Sequence, residues 1–129
     1  MRSDCPVSYA LDFFGDKWSL LIIRDLAFEQ KRFYKEFKNS KEQIATNILS
    51  DRLKKLETNG IIRSEVYPKN KSQKVYSLTQ KGKALIPVLL EMMVWSFEHQ
   101  NDLNVSLEFI QKIKTNRAGV MDYFLTQLA

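Results

Sequence analysis

A chain of 129 residues fits one domain, and its 44% hydrophobic content is enough to close a core without disulfides or metals. Charged residues make up 27%, Gly and Pro number four and three, and the formal net charge is +5. This is the profile of a helix-rich globular protein and excludes a disordered tail. The longest purely apolar runs, such as residues 20–23, are too short to span a bilayer, and the opening MRSDCPVS lacks an apolar signal core. The expectation is a cytoplasmic protein with no membrane partner. Its one cysteine cannot form an internal disulfide, which implies a reduced compartment or pairing with another molecule.

In chain order, Pro6 suits a first helical turn, because its missing N–H would have no partner there. That puts Cys5 at or beside the N-cap of a first helix. Val7, Ala10, Leu11 and Phe14 form its apolar stripe, and Gly15 ends it. Asp16 is a natural cap for a second helix from Lys17 to about Phe28. Trp18, Leu21, Ile22 and Leu26 face inward there and Leu20 and Ile23 widen the buried arc, the pattern of a central core helix. A polar break at 29–31 leads to a short helix, about Arg32 to Lys38, anchored by Phe33 and Phe37, and residues 39–43 turn the chain. The next helix begins near Ala45 or Thr46. Ile48, Leu49, Leu53 and Leu56 recur at spacings of three and four, so one face is apolar while Thr46, Asn47, Ser50, Asp51, Lys54 and Lys55 point elsewhere. Gly60 stops it. Helix, turn and helix in this order place the second helix in a major groove.

Residues 61–67 and 74–78, rich in Ile, Val and Tyr, predict the strands of a hairpin, with residues 68–73, PKNKSQ, as a basic turn-forming connector. Thr79 caps a long helix ending near His99. Leu85, Val88, Leu89, Met92 and Ser96 share one of its faces and Leu90, Val94 and Phe97 another, and Pro87 either kinks it or starts its main part. Two apolar faces on one helix favour packing against a second copy of the chain. Further on, Phe109, Ile110 and Ile113, a break at 116–119, and Val120, Met121, Phe124, Leu125 and Leu128 predict small amphipathic helices that must dock on the long helix or on a partner subunit. The expected fold class is mainly α with a small β-hairpin wing, a winged helix-turn-helix with additional C-terminal helices for dimerisation. Residues 1–100 make the DNA-binding domain with dimerising first and long helices, and residues 101–129 form a helical extension packed on the same domain or on the partner. No internal repeat or linker interrupts the chain.

Between residues 31 and 83, fourteen Lys or Arg stand against five acids, a net +9, which leaves −4 for the remainder. A basic middle on an acidic body is the footprint of a polyanion-binding face, although charge by itself also fits a solvated helix surface. Thr46, Asn47, Ser50 and Asp51 carry short polar side chains suited to base edges, Asn to adenine and Asp to cytosine. Arg52, Lys54 and Lys55 suit phosphate, with Arg52 alternatively paired to an acid within the fold. Lys69, Asn70, Lys71, Ser72 and Lys74 gather at the wing tip, where three lysines have no structural task, which points to phosphate or minor-groove contact. Lys31, Arg32 and Lys35 are candidates for further backbone contacts. His99 reads as a packing or hydrogen-bonding residue, and Trp18, Trp95, Met92 and Met93 read as core. One His and one Cys make no metal-ligand set, and there is no phosphate-cradling glycine loop or Ser, His and Asp set, so neither a cofactor nor an enzymatic activity is expected.

Taken together, these motifs resemble winged-helix transcription regulators of the HxlR type, related in architecture to the MarR group. CPVSYALDFFGDKW, residues 5–18, resembles the family's opening, with Cys-Pro at the start of helix one and Gly-x-Lys-Trp at the start of helix two. Arg32, Phe33 and Phe37 fit its short helix, and Leu49, Ser50, Arg52, Leu53, Lys54, Leu56, Glu57, Gly60 and Ile62 fit its recognition-helix pattern. Tyr76, Leu78, Thr79, Lys81 and Gly82 match the closure of its wing, and Trp95 with His99 matches the end of its long helix. The likeness covers roughly residues 5–100; the wing tip here carries extra polar residues. It implies a homodimer that binds double-stranded DNA at a palindromic operator, usually as a repressor and sometimes as an activator.

The family also includes sensors that use a cysteine at the position of Cys5 against quinones, aldehydes or disulfide stress, so the resemblance implies redox sensing there. The residue itself leaves two readings. Helix N-terminal N–H groups favour a reactive thiolate, with Asp4 opposing, and an N-terminal cysteine also serves as a small buried side chain. The alternative to DNA binding is a winged helix that docks a protein through its recognition face; a basic, polar recognition helix and a lysine-tipped wing favour DNA.

Overall fold

The computed structural model describes residues 2–129, and within them the order is α1 (Pro6–Phe14), α2 (Lys17–Phe28), α3 (Tyr34–Lys38), α4 (Thr46–Thr58), β1 (Ile62–Tyr67), β2 (Asn70–Leu78), α5 (Gln80–Lys83), α6 (Ile86–His99), α7 (Leu107–Thr115) and α8 (Arg117–Gln127). This is a winged helix-turn-helix with further helices after the wing. None of the described helices is long and apolar enough to cross a membrane.

Local chemistry sets most boundaries. Pro6 opens α1 with Cys5 at the N-cap, and Asp16 caps α2 by accepting from the Ser19 N–H at 3.0 Å and the Ser19 hydroxyl at 2.8 Å. α4 ends in a Schellman motif: Ile61 N–H donates to the Leu56 carbonyl at 2.9 Å and Gly60 N–H to Glu57 at 3.0 Å, with Gly60 at φ +74°. α3 starts two residues later than expected. The Glu36 carboxylate accepts from the N–H groups of Arg32 and Phe33 at 2.9 and 3.0 Å, which holds that segment extended, and Arg32 offers its carbonyl to Tyr76 N–H at 2.8 Å instead of to a helix.

The chain packs as two compact units, one ending at Lys83 and one spanning Ala84–Ala129. In the first, α2 lies against α4 and β2. Ile22, Ile23, Leu26 and Ala27 of α2 are buried with Phe37, Ile44, Leu49, Leu53, Leu56, Ile61, Ile62 and Leu78. The hairpin is antiparallel, Ile62 opposite Leu78 and Val66 opposite Lys74, but Tyr67 pairs with Asn70. The expected six-residue connector is therefore a tight turn at Pro68 and Lys69. Asn70 to Gln73 belong to β2, where the surplus residues bulge and an Asn70 side chain accepts from the N–H and hydroxyl of Ser72 at 3.1 and 2.7 Å.

In the second unit, α7 packs on α6 and α8 on α7. The ion pairs Lys114–Glu98 and Arg117–Glu91 link α6 to the helices that follow it. The sequence groups the long helix with the wing and divides the chain near residue 100, whereas packing groups α6 with α7 and α8. The long helix is itself interrupted: α5 stops at Lys83, and Pro87, within the first two positions of α6, starts the main part. Asn116 serves as the whole break between α7 and α8, its side chain accepting from Gly119 N–H at 3.1 Å. Core assignments on α6 also change. Ile86, Leu89, Leu90 and Val94 are buried, while Trp95 is 64% and Met92 46% exposed on the opposite face. His99 lies against the Trp95 ring, with centroids 4.9 Å apart.

Candidate nucleic-acid interface

The candidate reading helix is α4, and its first turns present Thr46, Asn47, Ser50, Asp51, Lys54 and Lys55, all exposed, opposite the buried Leu49, Leu53 and Leu56. The turn that delivers it is braced from α2. Asp25, buried in that helix, accepts from the Ser40 hydroxyl at 2.6 Å and from Arg24 at 2.7 Å. Arg24 also forks onto Glu42, with bonds of 2.7 and 3.0 Å. That bidentate contact holds the Glu42 carboxyl down at about 2, and bonds to Glu42 and Asp25 raise the Arg24 guanidinium. Lys38 Nζ donates to the Ile44 carbonyl at 2.6 Å, closing the turn just ahead of α4.

Several expected contact residues are committed inside the fold. Arg52 takes the intramolecular of its two readings: Nε donates to Asp16 Oδ1 at 3.0 Å and Nη1 to Asp51 Oδ2 at 2.6 Å. Burial pushes the Asp16 carboxyl up, but bonds from Ser19 and Arg52 outweigh it and the net shift is downward. Asp51 is also lowered, first by its bond from Arg52 and then by Lys55, whose Nζ lies 3.3 Å away. Its carboxylate is shared between two cations before any base arrives. Lys31 turns inward, Nζ to Ser40 Oγ at 2.9 Å and 3.6 Å from Asp25. Arg32 is half-buried and Lys35 exposed.

At the wing, Lys69, Asn70, Lys71, Ser72 and Lys74 are all exposed. The wing's base is tied to α4: Glu57 accepts from the Ser64 N–H and hydroxyl at 3.2 and 2.8 Å. Thr79 and Gly82 lock the other end. The Thr79 hydroxyl lies within donating distance of the Gly60 and Ile61 carbonyls and accepts from Gly82 N–H at 3.1 Å. A Cβ on Gly82 would stand 2.2 Å from the Ile61 carbonyl oxygen, so only glycine permits this approach.

Two clefts flank this framework. One, of about 520 Å³, lies between α3 and the wing and is lined by Phe33, Tyr34, Lys35, Ser72 and Lys74 among others. The other, of about 330 Å³, lies between α4 and the wing and is lined by Ser50, Lys54, Lys74, Tyr76 and Tyr34. The sequence does not single out Tyr34, and it offers Tyr76 only as part of the wing's closure. The Tyr34 hydroxyl donates to the Thr46 carbonyl at 3.3 Å and lies 3.4 Å from Ser50 Oγ. The signal that marks Tyr34 is an aromatic at the start of the helix before α4, set among Arg32 ahead of that helix and Lys35 and Lys38 on it.

Cys5 is exposed at the N-cap of α1 within the single chain, and its N–H donates to Ser3 Oγ at 3.2 Å.

Residues 13–104 match the family model described as HxlR-like helix-turn-helix. An uncharacterized HTH-type transcriptional regulator of Halalkalibacterium halodurans is 37% identical over 99 residues, which cover 77% of this chain and 88% of the relative. Among solved structures, the redox regulator HypR in its oxidized form aligns with a TM-score of 0.66 at 34% identity, over 75% of this chain and 99% of that one. The reduced form of the transcriptional regulator YodB from Bacillus subtilis aligns with a TM-score of 0.60 at 33% identity, over 79% and 100% of the two chains.

Proposed function

This chain belongs to the HxlR-like helix-turn-helix family and is a transcriptional regulator, and from that premise we propose that it acts as a homodimeric repressor on a palindromic operator and is released by oxidation at Cys5. The observation that carries the reading is the exposed row Thr46, Asn47 and Ser50 on a braced helix, beside a wing bearing Lys69, Lys71 and Lys74. Asn47 and its neighbours read base edges in the major groove, Lys54 and the wing lysines bind phosphate, and Arg52 and Asp51 hold the helix they sit on.

One reading helix per chain specifies few bases, so a two-fold dimer on half-sites about one helical turn apart supplies the rest. Two apolar strips support a dimer. Val7 and Leu11 of α1 are 67% and 50% exposed, and Met92 and Trp95 form a second strip on α6. Redox control is supported by the exposed Cys5 and by the likeness to a redox regulator. With one thiol per chain, oxidation joins Cys5 to a thiol of another molecule.

The test is selection of bound duplexes from a genomic DNA pool with and without diamide. Palindromic fragments are expected to be enriched and then lost on oxidation, with Cys5→Ser protein retaining them under diamide. No enrichment overturns the operator reading, and a Cys5→Ser protein that still lets go overturns the sensor.

A further inference from the structure

We propose that the elbow where α1 meets α2 sets the angle of the reading helix, with Asp16 and Phe13 as positioning residues that grip α4 at two separated points. The inference rests on the DNA-binding reading of α4.

The first grip is in the middle of the helix. Asp16 sits at the elbow, and its Oδ1 accepts from Arg52 Nε at 3.0 Å while Arg52 Nη1 reaches Asp51 on its own helix at 2.6 Å. A planar guanidinium held at two of its edges is fixed in orientation as well as position. Arg52's side chain is only 24% exposed. The second grip is at the helix's C-terminal end. Lys81 Nζ stands 4.2 Å from the ring centroid of Phe13, at the end of α1, and donates to the Asn59 carbonyl at 3.3 Å. Asn59 is the C-cap of α4, where the carbonyl end of the helix dipole favours an ammonium.

Arg52 and Asn59 are seven residues apart, about 10 Å along the helix axis. On the side facing the elbow, two supports at that separation set the tilt of α4 where one would fix only a point. Both run back to the same elbow, so a displacement of α1 is passed to the reading helix as a rotation. Phosphate contacts tolerate such a rotation, and base-edge hydrogen bonds do not.

The test uses charge against itself. Asp16→Asn keeps an N-cap for Ser19 but removes the anion that holds Arg52. By electrostatics it should tighten every DNA complex, because an acid is gone and a cation is released. Phe13→Leu leaves the net charge unchanged. Both full-length variants are titrated against a duplex selected by the wild-type protein from a randomised pool and against a scrambled duplex, with a melting curve for each. The expected result is a loss of about fivefold on the selected duplex and none on the scrambled one, at unchanged melting temperature. Asp16→Ser, a second cap-preserving variant, replaces Asp16→Asn if that protein melts early. Equal or tighter binding of the selected duplex by the variants overturns the inference and leaves operator binding standing. If the wild-type protein selects no duplex, the reading of α4 fails and takes this inference with it.

Discussion

The reading helix and the wing tip are the two parts of the proposed interface, and they are built to opposite rules. α4 is tied at nearly every turn: Tyr34 to Thr46, Arg52 to Asp16, Glu57 to Ser64 and Lys81 to Asn59. The wing tip carries an Asn70–Ser72 turn and three exposed lysines on a bulged hairpin. The difference fits what the proposed function asks each to recognise. Base edges present donors and acceptors at fixed positions, so the helix must arrive at one angle. Phosphates are charges along a ridge, and a mobile ammonium finds them.

The largest effect tests the brace behind the helix. Asp25→Ala removes a buried carboxylate from between Ser40, Arg24 and Lys31. It should cost about 3 kcal/mol, because a buried hydroxyl and two cations lose their common partner. A urea titration reads this as a lower midpoint, and operator binding should fall with it. A midpoint within error of wild type would mean that the turn before α4 is held by packing.

The next effect separates reading from charge. Asn47→Ala should weaken the selected operator by about tenfold, the scale of one base-edge pair, and leave a scrambled duplex unaffected. Replacing Lys69, Lys71 and Lys74 with Gln should weaken both duplexes alike at unchanged stability. It should also flatten the log–log salt dependence by about 0.9 for each phosphate that the wing no longer neutralises. Should the triple variant keep the wild-type slope, the wing lies off the DNA.

Legibility divides along the same line. α1, α2 and α4 are readable because their caps are local: Pro6, Asp16 and Gly60 act within a few residues. The length of the wing turn is not, since Asn70 to Gln73 have turn-forming side chains and join the strand through a bulge. Arg52 is ambiguous because its partner Asp16 lies 36 residues away, and a sequence places an arginine on a helix without saying which carboxylate crosses to it. Tyr34 is not singled out in the sequence, because only the fold brings its hydroxyl to the Thr46 carbonyl. Periodicity sets Met92 on a face with Leu89 and leaves Trp95 to read as core, but it does not say which part of the helix surface the chain itself buries, and both side chains stand outside it.

The smallest effect concerns the outer bond of the brace. The Glu42 carboxyl, gripped by Arg24, sits at about 2 against an ordinary value of 4.5. A carboxyl lowered in the folded state contributes stability that is fully present above its unfolded value and is lost as pH falls toward its folded one. The contribution of Glu42 should therefore be constant from neutral pH down to about 5 and disappear between about 4.5 and 2. Its side chain is 37% exposed, so solvent screens the pair and the contribution should be no more than about 1 kcal/mol. Urea midpoints of wild type and Glu42→Gln, measured at steps through this range, should differ by a constant amount at the upper end and converge toward the lower. A gap that persists at the acid end would mean that the difference between the two side chains does not come from the ionised carboxylate, and that the brace on the reading helix is not electrostatic at its outer edge.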